Sequence, residues 1–268
     1  MSTSTLPLMP AIYGDYAAVY DRTGQMRFSI LMELYLREVL ERHPAPGPRM
    51  LDLACGTGTL ALMMAEGGWE VVGIDAAWTM LEQARLKQGR AGVSVQFVEG
   101  DMRHFATPLR FDLVTCCYDS LNYLLDDDDL LHCFRSVFHA LAPGGVFCFD
   151  LATEYFLETH WQGTESFEDA GYSQTMESSF DPATCRSSLV MHGRLREVEG
   201  GEREFSEVHM ERAVHPNQVR TILLRAGLIP EAVYDCFTFQ EPSDRSLRHF
   251  WVARKPREHG PDNLQPHA

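Results

Sequence analysis

The sequence predicts an α/β protein: a doubly wound parallel sheet with helices on both faces and an antiparallel β-sheet inserted late in the chain. Three observations carry this. Between residues 49 and 151, five short apolar runs rich in Val, Ile and Phe alternate with helical patterns, as expected for parallel strands joined by crossover helices. The first run leads through a glycine-rich turn straight into a helix. From about 172 to 214 the pattern changes to longer alternating segments, the period of strands with two different faces.

The elements follow in order. Residues 12–43 read as two helical segments, Tyr13, Tyr16, Val19 and Tyr20 at helical spacing and then FSILMELYLREVLERH, ended by PAPGP at 44–48. Strands are predicted at 49–54, 70–75, 93–100, 111–117 and 145–151. Helices are predicted at 59–66, across MLEQARLKQ and at 126–141, the last beginning in DDDD, whose carboxylates suit a helix N-terminus. The insertion comprises YSQTMESSF, SSLVMHGRLREVEGG and EREFSEVHMERAV, with Gly200–Gly201 as a hairpin signal. A helix at 216–227 and strands at 230–239 and 246–255 complete the pattern. The expected units are a helical cap over the site (1–47), an α/β core (48–151), a β insertion serving as lid (152–214), completion of the core (215–255) and a disordered tail (256–268).

Composition excludes several classes. A net charge of −15 with no basic stripe argues against nucleic acid, where affinity comes from neutralising phosphates. No basic leader precedes an apolar core at the start, and no run approaches the roughly 20 apolar residues of a membrane-spanning helix. The seven cysteines form no CxxC pair and mostly sit in apolar runs, so they read as reduced, buried thiols in a cytoplasmic protein. No set of residues has metal-ligand spacing. A monomer or homodimer is expected.

The chemistry centres on LDLACGTGTLAL at 51–62. Gly56 and Gly58 allow positive φ and close approach of a ligand, and the following helix offers free amide donors. The segment GTGTLA alone also satisfies a dinucleotide-binding pattern. Asp52, ahead of the glycines, would repel a pyrophosphate but not a ligand bearing an ammonium and a sulfonium. Asp75 closes the second strand, where a carboxylate accepts from a ribose diol in either cofactor type. Asp101 is placed to accept an adenine amine while Met102 covers the ring.

LDLACGTG, VVGID, EGDM, the FDLV strand and LAPGGVFCFD, in that order and spacing, resemble the motif set of class I S-adenosylmethionine-dependent methyltransferases over residues 48–151. The resemblance implies a Rossmann-like seven-stranded sheet with the last strand antiparallel, and S-adenosyl-L-methionine as cofactor. It places the methionine moiety at Ala54 and Gly56–Thr57–Gly58, with Asp52 near the amino group. It places the ribose and adenine at Asp75, Ala76, Met80, Gly100, Asp101 and Met102, and further contacts at Tyr13, Tyr20, Cys117, Tyr118 and Asn122. The tyrosine-bearing N-terminus, the insertion and DSLNYL (119–124) resemble small-molecule N- and O-methyltransferases, such as sugar N-methyltransferases. Tyr20, Asp119, Tyr123 and His160 are then the candidate catalytic residues; His192 and His209 also fall in the inserted region, and any of the three histidines could serve as a base. The expected reaction is in-line transfer of a methyl group to nitrogen or oxygen of a small-molecule acceptor. The alternatives are another reaction at the same cofactor site, a NAD-dependent oxidoreductase, and a non-catalytic cofactor-binding partner.

Overall fold

A computed structural model of the chain describes residues 12–196 and 201–257. Five strands, β1 (Arg49–Leu53), β2 (Glu70–Asp75), β3 (Gln96–Glu99), β4 (Phe111–Cys116) and β5 (Leu141–Ala152), pair in parallel in the order β5-β4-β1-β2-β3. β11 (Arg248–Arg254) lies antiparallel beside β5, and β10 (Ile229–Asp235) lies antiparallel beside β11. The seven-stranded sheet with its final strand reversed is thus as the sequence predicts. β4 is buried at every position because helices cover both faces. On one face pack α4 (Asp127–Ala140) and α6 (Pro216–Arg225); on the other pack α1 (Met26–Arg42), α2 (Thr59–Glu66) and α3 (Trp78–Ala91).

Strand order reverses at β1, with β2 to one side and β4 to the other. The crevice beyond the carboxyl ends of β1 and β4 is therefore the switch point where open α/β sheets take ligands. Over it stands a second sheet, β6 (Gly163–Asp169), β7 (Tyr172–Asp181), β8 (Arg186–Arg196) and β9 (Glu202–Arg212), antiparallel in chain order. The register pairs Arg196 with Glu202; residues 197–200, including Gly200 of the expected hairpin, lie outside the described residues. Tyr16 and Val19 pack with Tyr172 and Met191 in a small third core that joins the N-terminal segment to this sheet.

Several elements differ from expectation. The first N-terminal helix is only a 3-10 turn at Tyr16–Ala18, because Tyr13 takes a left-handed conformation and the segment docks through its backbone, Tyr13 N donating to Glu207 Oε2 (2.7 Å). α1 packs in the core layer against α2, and the N-terminal residues that line the two cavities are Ile12, Tyr13, Gly14, Tyr16, Tyr20 and Gln25, with Ser29 of α1. The short helix α5 (Glu154–His160), capped by Thr153 Oγ1 accepting from Phe156 N (3.0 Å), gave no periodic signal in so few residues. β6 was equally silent: it is a mostly exposed edge strand with Phe167 as its one large apolar residue. β3 begins at Gln96, and β10 stops at Asp235, before Phe237 turns left-handed. Of the tail, residues 258–268 lie outside the described residues.

Candidate active site

The turn after β1 builds the first half of the site. Gly58 has φ +72, and a Cβ there would stand 2.7 Å from the Phe97 ring and 2.9 Å from Ala84 Cβ, so glycine is required for α2 to start against β3 and α3. Gly56, also left-handed at φ +54, has no heavy atom within 4 Å of a would-be Cβ and leaves open space for a ligand. Its N–H donates to Asp75 Oδ2 (2.8 Å), while Asp75 Oδ1 accepts from Ala77 N (2.8 Å). That carboxylate therefore ties the ends of β1 and β2 together. Burial raises its pKa, and these backbone donors oppose the rise.

A cavity of about 650 Å³ opens here, within the range of cofactor sites. Asp52, Ala54, Gly56 and Thr57 line it from β1; Asp75, Ala76 and Met80 from β2 and α3. Gly100, Asp101 and Met102 line it beyond β3, Cys117 and Tyr118 beyond β4, and Tyr13 and Tyr20 from above. Two residues of the expected set do not. Gly58 serves the packing just described. Asn122 is fully buried, its Nδ2 donating to the Ala152 and Arg212 carbonyls (3.1 and 2.8 Å) and its Oδ1 accepting from Ala152 N (3.0 Å). It fastens β9 of the second sheet to the end of β5. Asp101 lines the cavity already engaged by Arg103, whose guanidinium holds its carboxyl below the usual range and also reaches Asp129 (2.9 Å).

Asp52 is almost wholly buried, with Thr115 Oγ1 donating to it at 2.6 Å. Burial pushes its pKa up to about 7, Thr115 opposes this, and the charge of Asp75 adds to it. A buried carboxyl facing an open cavity suits an incoming ammonium.

A second chamber of about 360 Å³ adjoins the first. Tyr13, Tyr20, Tyr118 and Tyr123 line both, so four tyrosines form the common wall. Burial, the leading cause, raises the pKa of each, keeping the phenols neutral. Tyr13 and Tyr123 share a hydroxyl–hydroxyl hydrogen bond (2.8 Å), and Tyr123 Oη lies 2.9 Å from His209 Nδ1. His209 Nε2 in turn stands 3.3 Å from Glu207 Oε2, a charge contact without hydrogen-bond alignment.

The floor of this chamber is a buried ion cluster. Arg248 donates through Nη1 to Asp150 and through Nη2 to Asp119, both at 2.6 Å. Asp150 also accepts from the N–H groups of Tyr118 (2.6 Å) and Asp119 (3.0 Å), two consecutive residues with φ +65 and +50. Two non-glycine residues in the left-handed region are costly, by about 1–3 kcal/mol each. The Asp150 clamp holds them there, which aims the Tyr118 ring between the chambers. Burial works against the charge on Arg248, but Asp119 and Asp150 outweigh it and hold its pKa above the usual range. Burial raises the pKa of Asp119, with Arg248 opposing. His160 lies on the chamber wall at the end of α5, beside Thr159 Oγ1 (2.8 Å) and stacked on Phe156.

Glu207, Glu211, Asp150 and Arg248 were not among the sequence candidates, whereas His209 was one of the three histidine candidates for the base. A signal for Glu207 and Glu211 existed. In β9, EVHME places Glu207, His209 and Glu211 on one face and Val208 and Met210 on the other, and it is the ionisable face that is buried. Ionisable residues at every second position turned inward mark a site rather than a solvated face.

A family profile described as a methyltransferase domain matches residues 50–145. The YqeM protein of Bacillus subtilis (strain 168), which bears a methyltransferase name, is 32% identical over 250 residues, spanning 92% of this chain and 98% of that one. A dTDP-3-amino-3,4,6-trideoxy-alpha-D-glucopyranose N,N-dimethyltransferase of Streptomyces venezuelae is 24% identical over 226 residues, 80% of this chain and 90% of that one. The crystal structure of an S-adenosylmethionine-dependent methyltransferase from Clostridium acetobutylicum ATCC 824 superposes with a TM-score of 0.80 at 25% identity, covering 92% of this chain and all of that one. With the switch-point cavity and its carboxylates, these similarities define the class: the chain belongs to the class I S-adenosylmethionine-dependent methyltransferases.

The residues present fit that cofactor. The open cradle at Gly56 and the buried Asp52 carboxyl suit the amino-acid end, Asp75 retains acceptor capacity for a diol, and Met102 offers an apolar face near Asp101.

Proposed function

We propose that the enzyme methylates a nitrogen or oxygen atom of a small molecule bound in the 360 Å³ chamber. The observation that carries this reading is the shared tyrosine wall, which leaves one junction where the two cavities meet. When bound, S-adenosylmethionine supplies an electrophilic methyl group on a sulfonium. The protein's tasks are to align the acceptor, exclude water and take up one proton.

Tyr13, Tyr20 and Tyr118 do the first two, their rings narrowing the junction. Tyr123 and His209 do the third. With the Nε2 proton facing Glu207, His209 Nδ1 is a free acceptor. The acceptor atom gives its proton to Tyr123 Oη as Tyr123 passes its own to His209. Loss of that proton leaves the acceptor's lone pair free at the junction, where the bound cofactor would supply the methyl group as an electrophile and keep the bonding electron pair on its sulfur. Glu207 then stabilises the imidazolium. Asp119 acts through Arg248 and the strained turn, and His160 contributes wall rather than proton transfer.

The test begins with calorimetric titration of S-adenosylhomocysteine, with NAD as comparison. Micromolar binding of the former, weakened at least tenfold by Asp75→Ala, is expected. Incubation of methyl-labelled cofactor with fractionated cell extract then identifies the acceptor. Label appearing only in protein or nucleic acid fractions would sink the small-molecule reading. Tyr123→Phe and His209→Ala are each expected to lower kcat by about 10²–10⁴-fold with cofactor affinity unchanged.

A further inference from the structure

The geometry points to a cationic amine as the acceptor, with Glu211 as the group that holds its nitrogen beside Tyr123. This rests on the methyl-transfer reading above and adds the substrate class.

The charge inventory of the acceptor chamber is unbalanced. Asp119, Glu165 and Glu211 line it, and Arg248 is the only lysine or arginine among its lining residues. That arginine is committed at 2.6 Å to both Asp119 and Asp150. Two carboxylates against one guanidinium already leave the cluster short of positive charge, before Glu211 is counted. Glu211 is 2% exposed, and its Oε2 has no hydrogen-bond partner among the described residues. An unpaired buried carboxyl costs several kcal/mol if ionised, so a protein retains one where a ligand will complete it. Burial, then the charges of Asp119 and Asp150, push its pKa above the ordinary range against the pull of Arg248.

An alcohol could satisfy the open oxygen with one hydrogen bond. It would leave the surplus negative charge untouched. An ammonium satisfies both, and the surrounding rings favour it further: Tyr13, Tyr16, Tyr20 and Trp161 line the same chamber, and aromatic faces attract cations. Position fits as well. Glu211 and Tyr123 line the same chamber, so an amine held by Glu211 shares that space with the phenol that receives its proton.

The experiment compares amine and hydroxyl twins on protein saturated with S-adenosylhomocysteine: glucosamine with glucose, ethanolamine with ethylene glycol, benzylamine with benzyl alcohol. Binding is read by calorimetry in wild type and Glu211→Gln. For at least one pair the amine is expected to bind tenfold or more tightly than its twin, and Glu211→Gln is expected to erase the preference while leaving S-adenosylhomocysteine affinity unchanged. Glu211→Gln without any acceptor is also expected to melt at or above the wild-type temperature, since it relieves an unpartnered acid. Equal affinity for the twins, no binding of any amine, or a preference that persists in Glu211→Gln overturns the assignment, as does a variant that melts lower. Failure of wild type to bind S-adenosylhomocysteine would instead strike the cofactor reading beneath it.

Discussion

Asp52 lies at the end of β1 with one hydroxyl donor and, among the described residues, no cation near enough to neutralise it. Its pKa of about 7, against an ordinary 3.8, has two consequences of opposite sign. In the unliganded protein the native state holds the proton more tightly than the unfolded chain does. The stability this gives is complete below the unfolded value and is lost as pH rises through about 7. On the proposal that Asp52 receives the amino group of the cofactor, binding needs its ionised form, and S-adenosylhomocysteine affinity should fall about tenfold for each pH unit below 7. Titrations from pH 5.5 to 8.5 check this, and Asp52→Asn should give weak binding without the slope. Arg248 offers a second test at this scale. Its removal leaves Asp119 and Asp150 buried and unpaired, and Arg248→Ala should cost about 3–5 kcal/mol in a urea unfolding curve.

At the level of elements, two contacts set how the parts meet. Gly58 lets α2 start within van der Waals reach of Phe97 and Ala84, so Gly58→Ala should destabilise by about 2–4 kcal/mol in urea unfolding. Asn122 ties β5 to β9, and Asn122→Ala should lower stability by about 2–4 kcal/mol and impair acceptor turnover more than cofactor binding. The same division explains what the sequence disclosed. Asp52 and Asp75 sit at the carboxyl ends of strands that the hydrophobic pattern reveals, and Gly56 and Asp101 just beyond such strands, so local reading places them together. The acceptor chamber draws Tyr13, Tyr123, Glu211 and Arg248 from four distant segments, and no local pattern joins them. Even there β9 carried a legible clue in its inward ionisable face, whereas Asp150 looked like the end of an ordinary buried strand. β6 and α5 were invisible because an exposed edge strand and a seven-residue helix leave almost no apolar period.

Across the whole molecule, the parallel sheet and the turns after its strands line most of the larger cavity, and the four-stranded sheet with the N-terminal segment lines most of the smaller one. No helix among the described residues is long and apolar enough to cross a membrane. Residues 12–20 cross from one half to the other. Thr79 Oγ1 of α3 donates to the Tyr13 carbonyl, the Tyr13 N–H reaches Glu207 of β9, and the Tyr13 hydroxyl meets Tyr123. Whatever fills the larger cavity lies beneath this strap. Lifting the strap would widen the larger cavity and at the same time unmake one wall of the smaller chamber, whose lining also includes Tyr13 and Tyr20. On the proposed function, the prediction is a cycle paced by that shared opening rather than by methyl transfer. Acceptors of unequal nucleophilicity should turn over at nearly one common maximal rate, with a burst of methylated product in the first turnover.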